Sequence, residues 1–436
     1  MAANAVSENL NTQLVKDISA AHSEPKWMLD RRLEAWDRYQ SLPMPKSTDE
    51  TWRRTNLRGI DLESFVAFSQ NGSNGSTPTP SLIPEEAFAG RLLQVDWKCS
   101  DRSLDKALED KGLILCDLTT GLEKHADLIQ EFFLRDAPET SLAKFESLHT
   151  ALWSGGMLIH VPDGLEVEMP VQNLTRMTSG GTATFSHSIV ILGSNSKLEL
   201  VDESGSETAA NIAMSTSMVE VHLGSGSHFD YLDLQDWGLH HFGFRTWRAV
   251  LGRDATLNYA EVALGGGLTK TIVQGIFPEP GSQSELWGLC ICRGRQHIDH
   301  ETHQHHIADH TQSNLMFKGV LSDRSRSVYH GMITVEETAG QSLSYQANHN
   351  LLMSDSARAD SIPKMEIKTN DVRCKHGAAV GRLNDEEVFY LRTRGLTQVE
   401  AEKLIVRGFL EPVIARIVSE PVREIVEQTV LARAGV

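Results

Sequence analysis

The sequence predicts a mainly β chain, with a β-helix or solenoid core set between helical N- and C-terminal regions. Glycine-centred turns recur between residues 155 and 381, separated by short runs of alternating apolar residues without helices. Helix start signals precede that stretch, at Ser23-Glu24-Pro25. They reappear after it, where Thr397 and Glu400 have the spacing of a capping box.

In chain order, Leu29, Leu33, Trp36 and Gln40 fall at helical spacing until Pro43 and Pro45 stop the pattern. The polar stretch Gln70 to Pro80 cannot pack a core and reads as a mobile loop. A short strand over Leu113 to Cys116 is then mixed with helices around Leu122 to Phe133 and Leu142 to Trp153, which completes a mostly helical region, 1–150. In the core, 151–382, Gly164, Gly193, Gly224, Gly252 and Gly281 follow one another at 29, 31, 28 and 29 residues, and Gly340 lies 59 further on. A fixed period of about 20–50 residues marks stacked supersecondary units. Sandwiches also place glycine turns regularly. In the last region, 383–436, Asp385, Glu386 and Glu387 open a helix that Gly395 closes, Thr397 starts a second, and Pro421 begins a third. Some 50 residues cannot bury a core alone, so these helices need the solenoid or a partner to pack on.

Lys and Arg number 41 against 58 Asp and Glu, a net charge of −17, which disfavours nucleic acid and anionic membrane surfaces. No apolar run approaches the roughly 20 residues of a membrane span, and residues 1–19 lack the apolar centre of a secretion signal. A cytoplasmic protein is expected, or a stromal one in a plastid-bearing source, although no transit peptide is evident. Five cysteines without any C-x-x-C spacing fit a reducing compartment and exclude a zinc ribbon or a self-contained ferredoxin-type cluster site.

Two constellations carry chemistry. In Asp371-Val-Arg-Cys374-Lys-His376-Gly377, a strand would put Cys374 and His376 on one face, with Arg373 and Lys375 opposite. An adjacent imidazolium would favour a thiolate able to bind soft metal or sulfur. The plain alternative is a buried cysteine beside an exposed histidine. In His297 to His310, alternation would align His297, Asp299, Glu301, His303 and His305, residue types that suit nickel, zinc or iron. Alternate side chains on one straight strand stand about 7 Å apart, which argues against convergence on one ion. Cys290 and Cys292 read as core residues. The run Gly265 to Thr271 lacks the glycine before Lys270 that a phosphate loop requires. Standard hydrolase, metalloprotease and dinucleotide motifs are missing.

Glu24-Pro-Lys-Trp27-Met-Leu29 and Glu50-Thr-Trp52-Arg53 lie near the start, and Trp153-Ser-Gly155-Gly156, Gln296-His-Ile-Asp299-His300, Lys318-Gly319-Val320-Leu321 and Gln346-Ala-Asn348-His-Asn350 lie in the glycine-turn region. Through these motifs nearly the whole chain resembles the SufB/SufD family, the paired scaffold subunits that build iron–sulfur clusters with the ATPase SufC: the first two are similar to that family's opening and the other four to its core. The closing run, Asp371 to Gly381 followed by Phe389-Tyr390-Leu391-Arg392, is the most specific match and resembles SufD more than SufB.

The resemblance implies a right-handed parallel β-helix and a non-catalytic subunit that pairs with a SufB-like paralogue. It implies that the C-terminal helices carry a SufC-like ATPase, with Phe389, Tyr390, Leu404 and Phe409 as the expected contacts. It places Cys374 and His376 at the subunit interface, on a transient iron–sulfur cluster shared with the partner, with a sulfur-donating desulfurase system upstream. Nothing in the sequence supports a flavin. His303, His305 and His306 and the pair Cys290 and Cys292 lie outside the family pattern, and His297, His303 and His305 stand as weaker metal candidates. Two other readings are a SufB-like homodimeric scaffold and, further off, a carbohydrate-active β-helix enzyme, commonly a secreted class.

Overall fold

In a computed structural model, the structure describes residues 10–67, 78–96, 98–135, 138–206 and 212–435. Helices α1 (Thr12–Ala21) and α2 (Lys26–Ser41) come first, and then the strands β1 (Gly90–Val95) and β2 (Lys98–Leu104). There follow α3 (Lys106–Asp110), β3 (Ile114–Asp117), α4 (Leu118–Lys124), α5 (Ala126–Phe132) and α6 (Ala143–Leu152). The next strands are β4 (Met157–Val161), β5 (Val171–Met177), β6 (Ala183–Leu192), β7 (Lys197–Ser206), β8 (Ala213–Leu223), β9 (His228–Asp236), β10 (His241–Leu251) and β11 (Thr256–Ala263). After them run β12 (Leu268–Phe277), β13 (Gln283–Cys292), β14 (His297–His306), β15 (Gln312–Leu321), β16 (Arg326–Val335), β17 (Leu343–Leu352), β18 (Arg358–Ile367) and β19 (Arg373–Arg382). The chain closes with α7 (Asp385–Thr393), α8 (Gln398–Ile414) and α9 (Glu420–Ala434).

From β4 onward the strands alternate between two parallel sheets, so that each pair makes one coil of a β-solenoid of eight coils. One sheet has ten strands, ordered from β19 to β5 and then β1 and β2, and the other has nine, ordered from β18 to β4 and then β3. Alternation sets the interior. Tyr231, Trp247, Tyr259, Leu286, Leu315 and Tyr329 stack inward from successive coils into one buried apolar cluster.

The left-handed turns at one corner explain the period. Gly164, Asn195, Gly226, Asp254, Gly281, His310 and Gln341 each take a positive φ there, between 54° and 78°. The regular glycines therefore occupy three different positions, with Gly340 directly before the left-handed Gln341. Gly281 supplies the left-handed residue itself, whereas Gly224 precedes it by two and sits where a Cβ would come within 2.8 Å of the backbone of the preceding coil. The period of 59 residues conceals His310, which holds the intermediate turn at φ 55°.

Ahead of the solenoid there is more strand than the helical pattern indicates. β1 extends the ten-stranded sheet in parallel with β5, the antiparallel β2 covers that end, and β3 closes the other sheet against β4. The helix expected around 122–133 is two short ones, broken at His125. Helix α1 was not evident from periodicity, and Asn11 caps it by accepting from Leu14 N at 2.9 Å. At the start of α2, Glu24 pairs with the buried Arg32, whose guanidinium donates to Ala151 O of α6 at 3.1 Å and lies 4.3 Å over the Trp153 ring. Most of the expected loop, 70–77, lies outside the described residues. Just beyond it, Arg176 donates to the carbonyls of Thr79 and Pro80, at 3.0 and 3.2 Å.

The expected C-terminal helices form: Asp385, Glu386 and Glu387 fill the first turn of α7, which Asn384 caps, the reciprocal Thr397–Glu400 box starts α8, and Pro421 lies in the first turn of α9. α8 and α9 lay Val406, Leu410, Val413, Val422 and Val426 on Trp287, Leu289, Ile291 and Val320 of the ten-stranded sheet. A small helical unit is thereby stabilised by packing, as its size requires.

Candidate functional site

The solenoid ends on β18 and β19. Each pairs with one neighbour, β16 and β17, and among the described residues no strand continues either sheet. Two adjacent open edges, with Met365, Ile367 and Val380 exposed on them, form a ready template for another chain.

β19 presents its side chains as alternation predicts. Cys374 stands opposite Ser344 and His376 opposite Gln346, both buried interior positions of the last full coil, while Arg373 and Lys375 point outward. Cys374 is half-buried beside Val372 against Ile333, Val335 and Ala339, and that burial pushes its thiol up. The isolated chain therefore holds a protonated thiol rather than the thiolate that a neighbouring imidazolium would favour. His376 is exposed at the end. Beneath it, the Gln346 side chain is fully buried with neither amide atom hydrogen-bonded. Behind Cys374 runs a hydroxyl ladder: Ser344 meets Ser313 at 2.8 Å, and Ser313 meets His306 Nε2 at 2.8 Å.

Further inside lies a polar column that sequence reasoning missed. Tyr231 donates to Asp202 at 2.6 Å, and Arg245 bridges Asp202 at 2.8 Å and Asp233 at 2.9 Å. Gln235 links Asp233 to Glu261 at 3.2 and 3.4 Å, and His300 Nε2 meets Glu261 at 2.8 Å. Burial pushes Asp233 up to about 8 despite Arg245. Cys290 and Cys292 face the interior among Ala263, Ile298 and Leu321, in keeping with their reading as core residues. A second buried chain joins the N-terminal helices to the nine-stranded sheet. Thr216 meets His149 at 2.9 Å, His149 meets His187 at 3.1 Å, and His187 meets Glu220 at 2.8 Å. The only signal for either network was a polar residue at an inward strand position.

His297, His303 and His305 share the outward face, as expected, but the three do not converge: His303 and His305 stack with ring centroids 5.3 Å apart, and His297 is not part of that pair. His297 meets Thr55 at 3.0 Å, His303 meets Thr334 at 2.9 Å, and His305 meets Glu336 at 3.0 Å. Asp299 is spent on Lys270 at 3.1 Å and on Thr55. Burial pushes His297 and His303 down to about 4, so both rings are neutral at pH 7. Among the described residues, no three His, Cys, Asp or Glu side chains are placed to hold a metal ion.

On the C-terminal helices, Phe389, Tyr390 and Leu404 are 67, 56 and 49 % exposed, a costly display of apolar surface without a partner. Phe409 is placed differently. It is half-buried against the solenoid, where Lys318 donates to its carbonyl at 2.6 Å and lies 4.7 Å over its ring. Among the described residues, no helix is long and apolar enough to cross a membrane.

Comparison with known proteins agrees with this geometry. Residues 175–409 match the family model described as SUF system FeS cluster assembly, SufBD core domain, and residues 89–173 match the SufBD protein N-terminal region. The chain is 28% identical to the iron-sulfur cluster assembly protein SufD of Bacillus subtilis over 425 residues, 95% of this chain and 96% of that one. It is 26% identical to the SufB of the same organism over 415 residues, covering 92% and 88%. A SufBD family protein of Staphylococcus saprophyticus is 25% identical over 415 residues, with the same coverage as the SufB. With more than half its length matching the core model, the chain belongs to the SufBD family of iron–sulfur cluster assembly proteins.

Proposed function

We propose that this chain is a SufD-like, non-catalytic scaffold subunit of a SufBCD-type complex, acting in the cytoplasm. It pairs with a SufB-like paralogue through β18 and β19 and carries a SufC-like ATPase on α7 and α8, where Phe389, Tyr390 and Leu404 are exposed. The observation that carries this reading is the open end of the solenoid, with Cys374 and His376 on the inward face of its last strand, which pairs with β17 on one side and is open on the other. Iron–sulfur clusters commonly take about four protein ligands, so two donors at an open edge fit a cargo cluster completed by the partner chain. Sulfur would reach it from a desulfurase system, and ATP hydrolysis belongs to the partner.

Native mass spectrometry of the complex, isolated without oxygen from its own cells, tests this reading. Recovery with a paralogous chain and an ATPase is the expected result. A lone monomer would overturn the assembly, and a homodimer would favour the second reading, a SufB-like homodimeric scaffold, which the near-equal identity to SufB and SufD keeps in play.

A further inference from the structure

A cleft of about 430 Å³ opens far from the solenoid end, between α2, α6, the segment around Pro138 and the outer face of the nine-stranded sheet. Arg248 of β10 lines it and is 2 % exposed. Its Nε donates to Gln274 Oε1 at 2.9 Å and its Nη2 reaches Pro138 O at 3.5 Å, but Nη1 is buried with no hydrogen-bond partner. Leaving a buried charged donor unmade is costly, and native folds tolerate it chiefly where another group completes the bond.

The side chains around Arg248 supply only part of its counter-charge. Burial pushes the neighbouring Glu146 carboxyl up, toward its neutral form, and it accepts its hydrogen bond from Thr246 Oγ1 at 2.7 Å. Arg31 and Arg38 also line the cleft, together with the carboxylates Glu34 and Glu139. Arg38 is held by Glu139 at 3.0 Å, but both side chains are more than half exposed, and such a pair is weak enough to exchange for a ligand. Ala35 adds an apolar wall. A buried guanidinium with a free N–H, two further guanidiniums and a volume within the range of small-molecule sites together describe an oxyanion receptor.

We propose that this cleft binds a small metabolite bearing carboxylate or phosphate groups, with one oxyanion on Arg248 and the remaining charge met by Arg38 and Arg31. The site is independent of cluster assembly at the solenoid end.

Isothermal titration calorimetry of the full chain tests this, with citrate and inorganic phosphate titrated separately at constant ionic strength. Saturable binding of either anion is expected, and the anion that binds assigns the ligand's head group. Arg248→Gln should weaken binding about tenfold or more, the loss of a charge-assisted bond. Should that variant fail to fold, Ala35→Phe removes no charge and fills the cleft from α2, and it should abolish binding with an unchanged circular dichroism spectrum. The proposal is overturned if neither anion saturates the wild type, or if the variants that fold bind as the wild type does.

Discussion

His300 Nε2 lies 2.8 Å from Glu261 Oε1 inside the solenoid, both side chains withdrawn from water. Burial alone would push the imidazole down, but the Glu261 carboxylate and its hydrogen bond overcome that and raise it to about 9. A histidine raised above its unfolded value of 6.5 contributes stability that is complete below that pH and lost as pH rises through about 9. His300→Phe removes the cation and leaves Glu261 buried without its partner, which should cost about 3–5 kcal/mol at pH 7. Urea unfolding of both proteins at pH 7 and pH 10 should show the difference shrinking at the higher pH. A constant difference would mean that the pair is not ionised as described.

At the open end the expectation is the opposite, function lost with stability kept. His376 is exposed on an edge strand, so His376→Ala should leave the thermal midpoint nearly unchanged, within about 0.5 kcal/mol, while abolishing cluster delivery in cells. Normal delivery by that variant would sink the site. The buried setting of Cys374 adds a readout in the isolated chain. With its thiol pushed up, alkylation by iodoacetamide should be slow at pH 7.5 and accelerate only in the alkaline range. Rapid labelling at neutral pH would show a thiolate that this environment does not support.

The C-terminal helices divide into an exposed face and a packed one. Phe389→Ala and Leu404→Ala remove exposed apolar surface and should weaken ATPase binding in pull-downs while leaving unfolding unchanged. Leu410 is wholly buried between α8 and the sheet, and Leu410→Ala should cost about 2–5 kcal/mol. Because Phe409 packs inward, its truncation should behave more like that of Leu410 than that of Phe389. A pull-down defect in Phe409→Ala without any loss of stability would contradict its placement.

What the sequence could reveal followed from local rules. Thr397 and Glu400 form the expected box because capping depends on residues three apart, and Cys374 and His376 share a face because strand periodicity is two. Pairing across coils was not accessible in the same way. Glu261 and His300 are 39 residues apart and on opposite sheets, so their contact depends on the stacking register. The outward row of His297, His303 and His305 shows the same limit. Alternation aligns them, but only the covering chain and the neighbouring strands decide that His297 meets Thr55 and His303 meets Thr334.

The turn at His310 puts the glycine period itself to the test. Seven successive turns at one corner each require a left-handed residue, and three of them are filled by glycine, at Gly164, Gly226 and Gly281. A non-glycine residue in that conformation carries about 1–2 kcal/mol of strain. His310→Gly relieves it but gives the unfolded chain more freedom to lose, so the two effects should nearly cancel, to within about 1 kcal/mol. Gly281→Ala has no such offset. It introduces the same strain, and its Cβ would stand 1.9 Å from Asp254 Oδ1 of the neighbouring coil, forcing that carboxylate to move. It should therefore destabilise by more than about 1 kcal/mol, with guanidinium unfolding of the two variants as the measurement. Equal stability of the two would mean that the corner tolerates any residue, and that the glycine spacing reflects close packing between coils, as at Gly224, rather than backbone handedness.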